Sequence, residues 1–285
     1  MIKKIYILIA TIIMAQFQAL SQQLTSDLVE FFSTTSCFVK MKKGQNSLGN
    51  ATGFFIKSAD STVYFITNNH VAGLEFYINQ YRRDHHDSMP PESSLPNRLE
   101  VRIYKAQYGQ TEVIDIDLFQ NSQPTFIKFY EDEKQPSTLL DIIAIRMEKS
   151  IVSKLNPVWI LGRSDTENNM QVAPATELFV VGFPLEFGYS FTYPLWKRGT
   201  VASEANLLAV GQSKFWIDGT GRGGMSGSPV FYRMMSLEGN GKTTWTRAVA
   251  TYLIGIYSAQ HYVGELGVVT RLTRVFDKLD QMRHK

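Results

Sequence analysis

The sequence predicts an all-β chain, an antiparallel barrel or sandwich ended by a single helix. Short runs rich in β-branched and aromatic residues recur from end to end, and turn-forming residues separate many of them. Only the far C-terminus carries helical spacing, which argues against alternating strand and helix.

The strand candidates, in order, are residues 53–56, 63–67, 99–104, 125–130, 142–147, 178–182, 215–217 and 252–257. Near the end, Leu272, Val275, Phe276, Leu279 and Met282 share one helical face, with Thr270 as the expected cap and 270–283 as the expected helix. The stretch from Arg82 to Arg98 holds Asp84-His85-His86-Asp87 and Met89-Pro90-Pro91 and has no periodicity. It reads as an exposed loop; adjacent histidines on a loop seldom converge on one ion, so no metal is expected there. Residues 164–174 read as a linker between two halves.

At 285 residues, 44% apolar and 12% aromatic, the chain can bury a substantial core, as one large unit or two small lobes. The first residues place Lys3 and Lys4 before an apolar run from Ile5 to Met14 and then Ala19-Leu20-Ser21. That order is the order of a secretory leader, expected to span 1–21 and to be cleaved near Ser21-Gln22, giving a secreted or periplasmic protein without stable membrane insertion. The formal charge of +3 loses two lysines with the leader, leaving no basic footprint for nucleic acid or a membrane surface. Cys37 is the only cysteine, so no intrachain disulfide can form.

The residues that carry chemistry begin with a serine. A hydroxyl is a poor nucleophile at neutral pH and needs an imidazole to take its proton and a carboxylate to orient that imidazole. Ser226 lies in Gly223-Gly224-Met225-Ser226-Gly227-Ser228-Pro229, where the glycines permit a tight path with amides aimed at one spot. The amides of Gly224 and Ser226 are the candidate donors for a developing oxyanion. This segment resembles the nucleophile motif of trypsin-like serine peptidases. Thr67-Asn68-Asn69-His70-Val71 resembles the bacterial HtrA-like element that carries the general base, here His70. Leu140-Asp141-Ile142-Ile143-Ala144 resembles the element that places the aspartate, here Asp141. Asp115 and Asp117 compete for that role, although each alternates with isoleucine like an exposed strand face.

Gly182-Phe183-Pro184 and Gly255-Ile256-Tyr257-Ser258-Ala259 extend the resemblance over residues 53–282. The resemblance implies a chymotrypsin-like fold of two six-stranded antiparallel β-barrels, at about 30–160 and 175–269, in a peptidase domain spanning 22–285. It implies a serine endopeptidase acting on protein or peptide substrates through an acyl-enzyme, with no cofactor. The PDZ domain that usually follows the protease in HtrA-like proteins is not expected here, and the oligomeric state stays open. Met225 stands where zymogen-activated relatives hold an aspartate, so activity is not expected to need a newly cut N-terminus.

Two other readings compete. An α/β-hydrolase would use Gly-x-Ser-x-Gly and a later histidine such as His261, but Ser228 replaces the second glycine. A catalytically silent member of the fold would only bind peptides. For specificity, the resemblance places Thr220, Tyr257, Ser258 and Ala259 around the primary pocket. The position where the glutamyl endopeptidase branch has a histidine falls on Ile256. With no carboxylate at Thr220, cleavage after Arg or Lys is disfavoured. Cleavage after small or medium apolar residues is expected, with cleavage after Glu, helped by Arg222, as the alternative.

Overall fold

The computed structural model describes residues 29–72, 95–105, 110–132, 138–166, 172–185, 191–206, 213–219, 221–239, 245–261 and 266–282, with the backbone alone at 235–239, 245–249 and 259–261. The leader at 1–21, His85, His86 and Thr220 lie outside the described residues.

In the first lobe seven strands form one antiparallel sheet: β1 (Ser36–Lys43), β2 (Asn46–Lys57), β3 (Val63–Thr67), β4 (Arg98–Tyr104), β5 (Thr111–Asp117), β8 (Phe126–Tyr130) and β9 (Leu139–Arg146). Their order is β5-β4-β1-β2-β3-β9-β8, one strand more than the six expected for this lobe. Between the edge strands β5 and β8 the chain forms a small hairpin, β6 (Phe119–Gln120) with β7 (Gln123–Pro124). The second lobe is a closed six-stranded barrel of β10 (Glu177–Gly182), β11 (Leu195–Val201), β12 (Lys214–Asp218), β15 (Leu266–Arg271), β14 (Trp245–His261) and β13 (Pro229–Gly239), in that spatial order.

Side-chain alternation explains why three central strands of the first sheet are apolar on both faces. In β2, β3 and β9, Phe55, Phe65 and Ile143 point into the first lobe's own core. Their neighbours Phe54, Ile66 and Ile142 point the other way, against Phe231, Leu253 and Phe276 of the second half. A separate core of Val180, Phe215, Ile217, Val230 and Val269 fills the closed barrel. An edge strand behaves differently: in β5, Ile114 and Ile116 are buried while Asp115 and Asp117 face water. Burying apolar surface at about 25 cal/mol per Å2 makes the shared middle layer a strong tie between the lobes.

The C-terminal helix runs Thr273–Gln281, shorter than expected, because residues 266–271 are taken by β15. Thr270 is therefore a buried strand residue and no cap, and Met282 ends up 46% exposed past the last turn. Val275, Phe276 and Leu279 do form the buried face. Arg163 clamps the helix from the first lobe's side, at 2.8 Å from Asp277 and 3.0 Å from Asp280.

Candidate active site

Strand pairing delivers the histidine to the aspartate. Thr67 at the end of β3 faces Ile143 of β9, and continuing that antiparallel register brings residues 69–70 alongside 140–141. A single helical turn, Asn69–Ala72, then presents His70. Its Nδ1 donates to Asp141 Oδ2 at 2.7 Å, and its backbone N–H donates to Asp141 Oδ1 at 3.0 Å. Asp141 is nearly buried and His70 a quarter exposed. The carboxylate on Nδ1 leaves Nε2 as the ring nitrogen able to accept a proton. Asp115, by contrast, lies on the outer face of β5 at 3.4 Å from Arg98. The geometry therefore brings Asp141, and neither Asp115 nor Asp117, to His70.

Behind this pair stands a polar chain that links the lobes. Asn68 Nδ2 donates to the Asp141 carbonyl at 2.7 Å and to Ser258 Oγ at 3.3 Å. Ser258 Oγ in turn lies 3.2 Å from Thr270 Oγ1. The hydroxyl of Ser258, a residue expected on the pocket wall, thus turns toward Asn68, because alternate residues of β14 point to opposite faces.

The serine loop is held by its carbonyls. Gly223 O accepts from the Leu185 amide, Gly224 O accepts from Thr52 Oγ1 at 2.8 Å, Met225 O accepts from the Ser228 amide at 3.0 Å, and Ser226 O accepts from the Thr52 amide at 2.8 Å. In a trans peptide the N–H points opposite to the preceding carbonyl. Tying back Gly223 O and Met225 O therefore turns the Gly224 and Ser226 amides away from those partners. Neither amide meets an acceptor among the described residues. Gly224 (φ +91°) and Gly227 (φ +84°) supply the left-handed backbone this path requires.

Thr52 escapes a sequence reading, since nothing in its context marks it. Besides the two bonds above, its Oγ1 accepts from the Phe183 amide at 3.1 Å and its carbonyl accepts from Thr67 Oγ1 at 2.8 Å. One residue of β2 thus connects the serine loop, the β10 end and the strand leading to His70.

Around the expected pocket, Ile256 faces the middle layer between the lobes, whereas Tyr257 faces the barrel interior beside Met225. Tyr257 lines a small pocket together with Met225, Ile217 and Gly221. Burial pushes its phenol up to about 12. Met225 is 1% exposed and packs in the barrel core. Thr220 and the Ala259 side chain are outside what the structure describes. No group of three or more His, Cys, Asp or Glu able to hold a metal occurs among the described residues.

No protein-family model and no curated protein matches the sequence significantly. Solved structures do. The protease Anisep from Arthrobacter nicotinovorans superposes with a TM-score of 0.50 at 11% identity, over 88% of this chain and 96% of that one. This chain has a chymotrypsin-like fold. The serine endoprotease from Yersinia pestis is similar as well (TM-score 0.47, 12% identity, 89% of this chain and 67% of that one). So is a Glu endopeptidase (TM-score 0.47, 12% identity, 89% and 92%). At these identities the likeness is one of fold, and function has to be argued from the site.

Proposed function

We propose that the chain is a serine endopeptidase in which Ser226 is the nucleophile, His70 the general base and Asp141 its orienter. The observation that carries this reading is the His70 Nδ1 to Asp141 Oδ2 bond of 2.7 Å, on a partly exposed imidazole whose lobe is stitched through Thr52 to the serine loop.

In the reaction, Ser226 Oγ attacks the carbonyl carbon of the scissile peptide while its proton passes to His70 Nε2. The carbonyl π electrons move to oxygen, and the Gly224 and Ser226 amides stabilise that charge, an effect worth about 3 kcal/mol per donor. Collapse expels the amine, which takes the proton from His70 and leaves an acyl group on Ser226. Water, deprotonated by His70, then releases the carboxylic acid and restores the serine. Asp141 stays ionised throughout and holds the ring. Nothing in these steps calls for a cofactor.

The substrates on this reading are proteins or peptides laid along the cleft between the lobes. The leader-like residues 1–21 support export to the periplasm or beyond. Among the described residues no helix is long and apolar enough to cross a membrane.

The deciding experiment is labelling with a fluorophosphonate probe alongside cleavage of a peptide library. Wild type should be labelled and active, and Ser226→Ala neither. Peptide binding without labelling or cleavage would establish instead a silent binding protein of the same fold.

A further inference from the structure

Asp141 carries the carboxylate that meets His70, yet the sheet does not register it. The β3–β9 ladder ends with Thr67 opposite Ile143. The β8–β9 ladder pairs Lys128 with Ile143 and Tyr130 with Leu139, with a register shift between them. Residues 140–142 therefore have no cross-strand partner in either ladder. What reaches the Asp141 carbonyl instead is a side chain, Asn68 Nδ2, at 2.7 Å. Asn68 is fully buried, so water does not compete for this bond.

The second acceptor of the same amide belongs to the other lobe. Ser258 Oγ lies 3.3 Å from Asn68 Nδ2. In the β14–β15 ladder Tyr257 pairs with Val269 and Ala259 with Val268, so Ser258 is the extra residue of a β-bulge, a device that aims one side chain. One residue earlier, Tyr257 is clamped to the serine loop: its amide donates to Ser228 O at 2.9 Å and its carbonyl accepts from the Gly227 amide at 3.0 Å. A path of bonded groups thus runs from the serine loop through Tyr257 and Ser258 to Asn68, and on through Asp141 to His70. The other atom of the Asn68 amide, Oδ1, is buried without a partner among the described residues. An unmet buried acceptor costs stability, and a leucine of similar size would avoid that cost. The asparagine is therefore placed for its two donors.

We propose that Asn68 is a positioning residue that registers the general base against the nucleophile across the lobe boundary, acting through the Asp141 carbonyl and the Ser258 hydroxyl. This rests on the serine endopeptidase reading and gives that site a second cross-lobe tie besides Thr52. Thr52 fixes the serine loop to the first lobe; Asn68 fixes Asp141, and through it His70, to the strand that clamps the serine loop. Asn68 touches no substrate on this reading, so its loss should slow the chemical step and leave binding alone.

The test compares wild type with Asn68→Leu, Ser258→Ala and the double variant on one cleavable peptide, and follows the proton on His70 Nδ1 by NMR. That proton, held against Asp141 Oδ2, resonates far downfield and reports the bond directly. Asn68→Leu should lower kcat by about 10- to 100-fold, with KM within about twofold, and should shift or broaden the downfield signal in protein that is still folded. Ser258→Ala should lower kcat by about 2- to 10-fold, the range for one neutral hydrogen bond. The double variant should be no slower than Asn68→Leu alone, because both act through one amide. An unchanged kcat and signal in folded Asn68→Leu would overturn the proposal, as would a loss confined to KM or single losses that multiply in the double variant. Should Asn68→Leu not fold, Ser258→Ala decides: unchanged kcat and signal there defeat the cross-lobe role. Fluorophosphonate labelling of wild type separates the two levels. No label defeats the peptidase reading and this role with it, whereas a labelled wild type matched by Asn68→Leu defeats only the role of Asn68.

Discussion

The backbone N–H of Thr52, in the first lobe, donates to the carbonyl oxygen of Ser226, in the second, at 2.8 Å. Together with the Thr52 Oγ1 bond to Gly224 O, it makes the serine loop a shared possession of both lobes. Thr52→Val keeps the shape and the backbone bond but strands Gly224 O and the Phe183 amide. Stability should fall by about 1–3 kcal/mol, the cost of leaving buried partners unmet. The rate of fluorophosphonate labelling should fall further than melting alone explains, since a loop displaced by a fraction of an ångström loses its near-attack geometry. Thermal melts and labelling rates on the same sample check both.

Two glycines of the loop should respond oppositely to alanine. At Gly227 a Cβ would overlap Thr52 O and sit 2.5 Å from Thr67 Oγ1, on a residue with φ +84°. Gly227→Ala should cost at least about 3 kcal/mol through combined strain and clash. At Gly223 nothing lies within 4 Å and φ is unexceptional. Gly223→Ala should stay within about 0.5 kcal/mol of wild type. Denaturant midpoints for the pair provide the comparison.

Asp141→Asn and Asp115→Asn separate the two acids that compete in the sequence. At position 141 the carboxamide would retain a hydrogen bond to the ring but invite the wrong tautomer, so turnover should drop by about 10^4 with the fold intact. The exposed Asp115, which faces Arg98 on β5, should on substitution leave turnover within about twofold, as surface changes commonly do. Peptide hydrolysis by the two purified variants measures this.

The legibility of this chain follows from how local each feature is. Strands such as Val63–Thr67 are readable because their own side chains are β-branched or aromatic, and the serine loop because three glycines around one serine is a local pattern. Thr52 is not, because its role comes from partners at positions 67, 183, 224 and 226, which only the fold assembles. Which of Ile256, Tyr257 and Ser258 looks into the pocket is equally hidden, because strand parity cannot be fixed without knowing which face is the barrel interior; a one-residue error inverts every side chain. Thr270 mimics a cap for a similar reason, since a threonine before an apolar helical stripe does not reveal that it closes a barrel strand.

Burial also governs how the thiol behaves at alkaline pH. Cys37 is 3% exposed, and desolvation, only partly opposed by Arg102, raises its thiol from 9.0 to about 12. At pH 8 the folded protein then holds roughly one thiolate in ten thousand molecules. Because thiolate is the reactive species, iodoacetamide at pH 8 should leave the folded protein unmodified and alkylate one site once denaturant is added. With one cysteine in the chain, the label reports this site alone. The same shift fixes a sign for stability. Between about pH 9 and 12 the unfolded chain sheds a proton that the folded chain keeps, so the folded state loses ground as pH rises. Tyr257, raised from 10.0 to about 12 by burial, adds to the same slope over the upper part of that window. Denaturant midpoints should therefore decline from pH 9 upward, and Cys37→Ala should flatten the part of that decline that begins near 9. Alkylation of the folded protein at the rate of a free thiol would contradict the burial of Cys37, and an identical decline in Cys37→Ala would contradict its share in the alkaline instability.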